Sequence, residues 1–381
     1  MRFDTRLIHD AQPPDPATGA VNPPIYLSST FAQSAPNKNQ GYVYGRTHNP
    51  TRTVLERTLA ALEGGSRGLA FSSGLGALTT LLEQFPSGAR VVACDDLYGG
   101  TWRLLDHHQR QFGLQVDYFD PTSSTALRAQ LDRGPVAMVY VESPTNPLLK
   151  LVDLRSAIRL AHAHRALLVV DNTFASPALQ RPLELGADIV LHSMTKYLGG
   201  HSDIIGGALV VRSRRLGERF AWLQNAVGAV PSPFDCYLVL RGIHTLGVRM
   251  RAHSAAALAV ARVLERSRKV RRVFYPWLRS HPQYALARRQ MSAGGGMVSA
   301  EFAGGGRSAR RFLSRLRVFT LAESLGGVES LVEHPASMTH SSVPRAQREA
   351  HGIGDGLVRF SCGIEDPRDL AEAVETALRG V

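Results

Sequence analysis

With 381 residues, 44% of them hydrophobic, the chain can bury a sizeable core and is expected to hold more than one domain. A formal net charge of +12 invites a nucleic-acid reading. The arginines, dense between Arg241 and Arg317, come with no zinc finger, RNA-recognition motif or aromatic-interleaved basic run, so a solvated basic surface and no nucleic-acid partner are expected.

The N-terminus carries charges through its first ten residues, unlike a signal peptide, and no later run approaches membrane-spanning length. Cys94, Cys236 and Cys362 are too scattered for a disulfide framework or zinc knuckle. A cytoplasmic enzyme without a membrane partner is the expectation.

Residues 1–51, rich in Pro, Ser, Asn and Gln, read as an extended arm. From 52 to 240 apolar runs alternate with amphipathic segments, the pattern of an α/β domain whose parallel sheet is covered on both faces. Arg52–Glu63 is the first helix, with apolar residues at three- and four-residue steps and a stop at Gly64-Gly65. The short run Leu69–Phe71 leads into Ser73-Gly74-Leu75-Gly76 and an apolar helix. The free N–H groups of such a helix start suit an anion. A second strand, Arg90–Cys94, is followed by Tyr98, and Val136–Val141 is a third. The runs Leu167–Asp171 and Ile189–Leu191 deliver Asp171 and then Ser193, Thr195 and Lys196 at or beyond their carboxyl ends, where open α/β sheets bind ligands.

From 241 to 381 a smaller α+β domain is expected, with a long helix from Arg249 to Arg266, a strand at Gly296–Phe302 and a helical tail. Gly294–Gly296 and Gly304–Gly306 read as turns, neither opening a helix after a strand.

A lysine beyond a buried strand is either a solvated charge or a Schiff-base amine, and its neighbours favour the second. Pyridoxal 5′-phosphate requires an amine for its aldehyde, an acid beside its ring nitrogen, a phosphate cradle and a ring partner. Lys196 supplies the amine. Asp171 is the acid or else the cap of a turn, and Ser73, Gly74 and Leu75 form the cradle, with hydroxyls from Ser193 and Thr195. Tyr98 is the stacking ring or an ordinary loop tyrosine. His107-His108 and His162-x-His164 lack the further ligands of a metal site, so no metal is expected. His192 and His201 pack or orient the lysine loop.

These residues lie in motifs that run almost end to end: Tyr44–Arg52, Tyr98–Thr101, Val141–Pro147, Val170–Pro177, His192–Tyr197 and Thr320–Gly327. The chain resembles the cystathionine γ-synthase/γ-lyase family of pyridoxal-phosphate enzymes. The resemblance implies a type I PLP-dependent transferase fold with a mostly parallel seven-stranded sheet. It also implies that Lys196 and Tyr98 are catalytic, that Asn146 meets the cofactor's phenolic oxygen, and that Arg359 and Ser324 receive the substrate's carboxylate end. Tyr44 and Arg46 would reach the phosphate in a neighbouring subunit of a homotetramer.

On substrate the residues disagree. Val43 stands where cystathionine enzymes of this family carry an acid, which suits an uncharged thioether such as methionine, whereas Arg103 and Glu323 match cystathionine enzymes. Gly100 departs from the cysteine of methionine γ-lyases, while Gln290-Met291 and Glu333–Ser342 are similar to them. The expectation is γ-elimination of a small sulfur amino acid to 2-oxobutanoate, ammonia and a thiol, methionine ahead of cystathionine. Condensation of an acyl-homoserine with cysteine is the alternative reaction. A non-catalytic cofactor-binding protein is the alternative class.

Overall fold

The computed structural model describes residues 1–341 and 343–381. Seven strands form the larger sheet: β1 (Arg67–Phe71), β2 (Arg90–Cys94), β3 (Gln115–Phe119), β4 (Met138–Glu142), β5 (Leu167–Asp171), β6 (Ile189–Ser193) and β7 (Gly207–Val211). Their order is β1-β7-β6-β5-β4-β2-β3, and every pairing is parallel except those of β7, which runs antiparallel to β1 and β6. All five residues of β4 and of β7 are buried, as expected of strands covered on both faces.

The second sheet contains β8 (Val270–Phe274), β9 (Met297–Phe302), β10 (Thr320–Leu321), β11 (Leu331–Glu333) and β12 (Leu357–Ser361), in the order β10-β11-β12-β9-β8. Its β11–β12 pairing is antiparallel and sets Glu333 opposite Arg359.

Helix boundaries follow local chemistry. The helix Pro50–Glu63 starts where the Asn49 side chain accepts the Arg52 N–H and ends at Gly64, whose φ of 73° is the left-handed conformation that glycine adopts freely. Between the sheets runs the 21-residue helix Leu246–Arg266. Its Leu246 and Met250 are buried in the large core, and its Ala256, Ala257, Val260, Ala261 and Leu264 in the small one.

Four local expectations change. The arm is not extended throughout: Phe3–His9 is helical, because burying Leu7 against the large core repays the ordering of one short helix. The expected boundary after residue 240 falls inside the helix Pro233–His244, whose Val239, Leu240 and Ile243 belong to the large core. The long helix starts three residues earlier than its first arginine suggested. Gly304–Gly306 is not a plain turn: a helix, Gly305–Leu313, begins there after β9, driven by burial of Ala309 and Phe312. Among the described residues, no helix is long and apolar enough to cross a membrane.

Candidate active site

The carboxyl ends of β2, β4, β5 and β6, the start of the helix Gly74–Leu82 and the edge of the second sheet converge on one cavity of 360 Å³. Of the residues singled out in the sequence, Ser73, Gly74, Leu75, Tyr98, Asn146, Asp171, Ser193, Thr195, Lys196, Glu323, Ser324 and Arg359 line it. The parallel sheet makes this convergence unavoidable, since successive strands end on the same edge.

At one end lies the helix start. Ser73 Oγ accepts the Gly76 N–H at 2.9 Å, which caps the helix and leaves the Gly74 and Leu75 amides in its first turn. Gly74 packs on Ser193: a β-carbon there would sit 3.2 Å from Ser193 Cβ. Thr195 Oγ1 is engaged by Gly206, whose N–H it accepts at 3.0 Å.

In the floor, Asp171 Oδ1 accepts the Thr173 N–H at 2.9 Å and Oδ2 the Tyr140 hydroxyl at 3.2 Å. Burial pushes its carboxyl above the ordinary value, with the Thr173 hydrogen bonds opposing. Glu142 is its register partner on β4 and accepts the Tyr98 N–H at 2.9 and 3.2 Å, so the loop bearing Tyr98 is tied to the floor. Burial, then the neighbouring Asp171, raises the Glu142 carboxyl well above its usual range.

Lys196 Nζ donates to Ser324 Oγ at 2.8 Å. Burial and then the positive charge of Arg359 pull its amine down to about 8. Ser324 holds a φ of 94°, a costly conformation for a residue with a side chain, and two contacts fix it: its hydroxyl to Lys196 and its carbonyl, which accepts Arg359 Nη2 at 2.9 Å. Arg359 Nη1 donates to Asn146 Oδ1 at 2.9 Å and lies 3.0 Å from Glu333 Oε1.

Four expected residues do not line the cavity in their own chain. Val43, Tyr44 and Arg46 are on the exposed arm, with the Arg46 guanidinium hydrogen-bonded to the Asn225 carbonyl and 5.6 Å over the Tyr44 ring. Arg103 stands on the helix Gly99–Phe112, near enough for its charge to act on the Tyr98 hydroxyl. His192 is buried and meets Glu63 Oε1 at 2.6 Å, and His201 contacts the Gly199 carbonyl at 2.9 Å. Ser342 lies outside the described residues.

Glu142, Tyr140, Thr173, Glu333 and Thr339 were not singled out for roles. Glu142 does sit inside the Val141–Pro147 motif, next to the strand end, and its position there was the available signal. Among the described residues, no group of three or more His, Cys, Asp and Glu could hold a metal ion.

The donor set fits pyridoxal 5′-phosphate. A helix start with hydroxyls beside it suits the phosphate, a buried carboxylate bonded to neutral donors suits a protonated ring nitrogen, and an amine near 8 suits an aldehyde.

Comparison with known proteins agrees. The chain is 50% identical over 378 residues to a cystathionine β-lyase of Coxiella burnetii, covering 99% of this chain and 97% of that one. It is also 50% identical over 376 residues to a cystathionine γ-synthase of Mycobacterium tuberculosis, covering 98% and 96%. The crystal structure of a cystathionine γ-lyase from Lactobacillus plantarum complexed with L-serine superposes with a TM-score of 0.97 at 43% identity, covering 100% of this chain and 99% of that one. The model of the Cys/Met metabolism PLP-dependent enzymes matches residues 4–379, and the chain belongs to that family.

Proposed function

We propose that the protein cleaves the C–S bond of L-cystathionine by γ-elimination, giving L-cysteine, 2-oxobutanoate and ammonia. The observation that carries this reading is Glu323, whose carboxylate lines the same cavity as Lys196 and Arg359. Arg359 offers a cation to the substrate's α-carboxylate, while Glu323 on the exposed rim offers an anion to a distal ammonium, a group cystathionine has and methionine lacks. This argument puts cystathionine ahead of methionine, the reverse of the preference drawn from Val43.

When bound, pyridoxal 5′-phosphate supplies an electron sink for negative charge at the substrate's Cα. Gly74, Leu75 and Ser193 would hold its phosphate, Asp171 its ring nitrogen and Tyr98 its ring face. Lys196 Nζ, already depressed to about 8, would take the Cα proton near neutral pH, release it on the cofactor side and, a free amine again, take a Cβ proton, after which the Cγ–S bond breaks. The Tyr98 hydroxyl, kept protonated by burial, can return a proton to the leaving sulfur. Arg359 and Ser324 orient the carboxylate end so that Cα faces Lys196.

The 50% identity to a cystathionine β-lyase supports a second reading, β-elimination to homocysteine and pyruvate. One assay separates them: purified protein with L-cystathionine is expected to release 2-oxobutanoate. Pyruvate instead selects β-elimination. Product only from acyl-homoserine plus cysteine sinks both lyase readings.

A further inference from the structure

Glu333 is buried at 1% exposure in the last position of β11, and nothing in the reaction above uses it. Its Oε1 meets Arg359 Nη1 at 3.0 Å and accepts the Thr339 hydroxyl at 2.8 Å. A buried carboxylate is expensive unless paired, and burial indeed raises this one, with Arg359 opposing. The pair therefore has a geometric purpose.

Following the contacts outward, Thr339 Oγ1 lies 2.9 Å from His340 Nδ1, and His340 Nε2 lies 3.3 Å from the Leu97 carbonyl. The Thr339 carbonyl presses on Gly99 so closely that a β-carbon there would be 2.5 Å away. Thr339 itself lines the cavity. Burial holds His340 down to about 4, so the ring is neutral at physiological pH; its one N–H donates from Nε2 to the Leu97 carbonyl, and with the Thr339 hydroxyl proton given to Glu333 it is the chain bond between Thr339 and His340 that links the two contacts.

We propose that Glu333 is the positioning residue for the substrate's α-carboxylate: it fixes the Arg359 guanidinium and, through Thr339 and His340, ties it to the Leu97–Gly99 loop that carries Tyr98. Asn146 Oδ1 shares Nη1 with Glu333, and the Ser324 carbonyl takes Nη2, so three acceptors fix the two terminal nitrogens of the guanidinium. A planar, five-donor cation held this way offers its remaining donors in one direction. The proposal rests on Arg359 as the carboxylate anchor, but not on which thioether is cleaved.

Glycine and glycinamide are the probes, because neither has a leaving group and only glycine has the carboxylate. Their dissociation constants are read from the visible absorbance of the holoenzyme. In Glu333→Ala, glycine is expected to weaken by about tenfold and glycinamide by less than about twofold. Glu333→Gln, whose amide oxygen can still accept from Arg359, should fall between wild type and Ala, and Thr339→Val should weaken glycine by about threefold. Unchanged glycine binding in Glu333→Gln and Thr339→Val, or equal weakening of both probes in any variant, overturns the proposal. If Glu333→Ala does not fold, these two variants decide. Failure of the cystathionine assay alone leaves these constants unaffected, so the two claims fail separately.

Discussion

A lysine amine held near 8 inside a cavity costs the cofactor-free chain stability, because at neutral pH the folded state keeps a charge that burial disfavours. Its folded value lies below the unfolded 10.5, so between about 8 and 10.5 the unfolded chain binds more protons and stability rises with pH. Lys196→Met is therefore expected to stabilise the cofactor-free protein at pH 7 by about 2 kcal/mol, an advantage that shrinks as pH climbs through that window. Urea denaturation of both proteins at several pH values checks this; an advantage independent of pH would refute the electrostatic origin. Asp171→Asn keeps the shape but removes the charge, and turnover is expected to drop on the order of a hundredfold, read as kcat of cofactor-saturated protein. Lys196 and Asp171 were legible in the sequence because each ends or follows an apolar run. Glu142 and Glu333 were not: a carboxylate at a strand end reads as solvated until the fold buries it.

The start of the helix Gly74–Leu82 is built against β7. Gly207 pairs with Phe71 on one side and Ser193 on the other, and a methyl there would overlap the Ser73 carbonyl and lie 2.7 Å from the Gly74 nitrogen. These are backbone atoms, so the neighbour cannot simply rotate away. Gly207→Ala is expected to destabilise the protein by about 3 kcal/mol and to weaken cofactor binding at least tenfold. Denaturation midpoints and titration of the cofactor-free protein with pyridoxal 5′-phosphate measure the two effects, and wild-type values in both would show that the cradle tolerates displacement. The strands Leu167–Asp171 and Ile189–Ser193 announced themselves because strands buried on both faces are unbroken apolar runs. The direction of β7 did not, since its pairing joins Arg67–Phe71 to Gly207–Val211 across most of the large domain. Gly304–Gly306 misled for a related reason: the apolar face that makes it a helix start comes later, at Ala309 and Phe312.

At the scale of the molecule, the arm places Tyr44 and Arg46 outside their own cavity, on an exposed segment that also shows Val21 and Leu27 to solvent. If those side chains complete a neighbour's site, Lys196→Ala and Arg46→Ala subunits, each inactive alone, are expected to recover about a quarter of wild-type activity when mixed and exchanged. No recovery after confirmed subunit exchange would place both residues in service of their own chain. The α/β plan was legible from alternating runs, but the helix Leu246–Arg266 that joins the two cores was read only as part of the smaller domain, because periodicity says nothing about which core each turn enters. That helix is a single rod shared by both cores. Its 21 residues span about 31 Å, so a tilt of about 5° around its middle swings each end by about 1.3 Å. Ser324, whose hydroxyl meets Lys196 at 2.8 Å, is held through its carbonyl by Arg359 of β12, a strand of the sheet whose core the far half of this helix enters. The hydrogen-bond partner of the amine is thus supplied from the smaller sheet, while the amine itself follows β6 of the larger one.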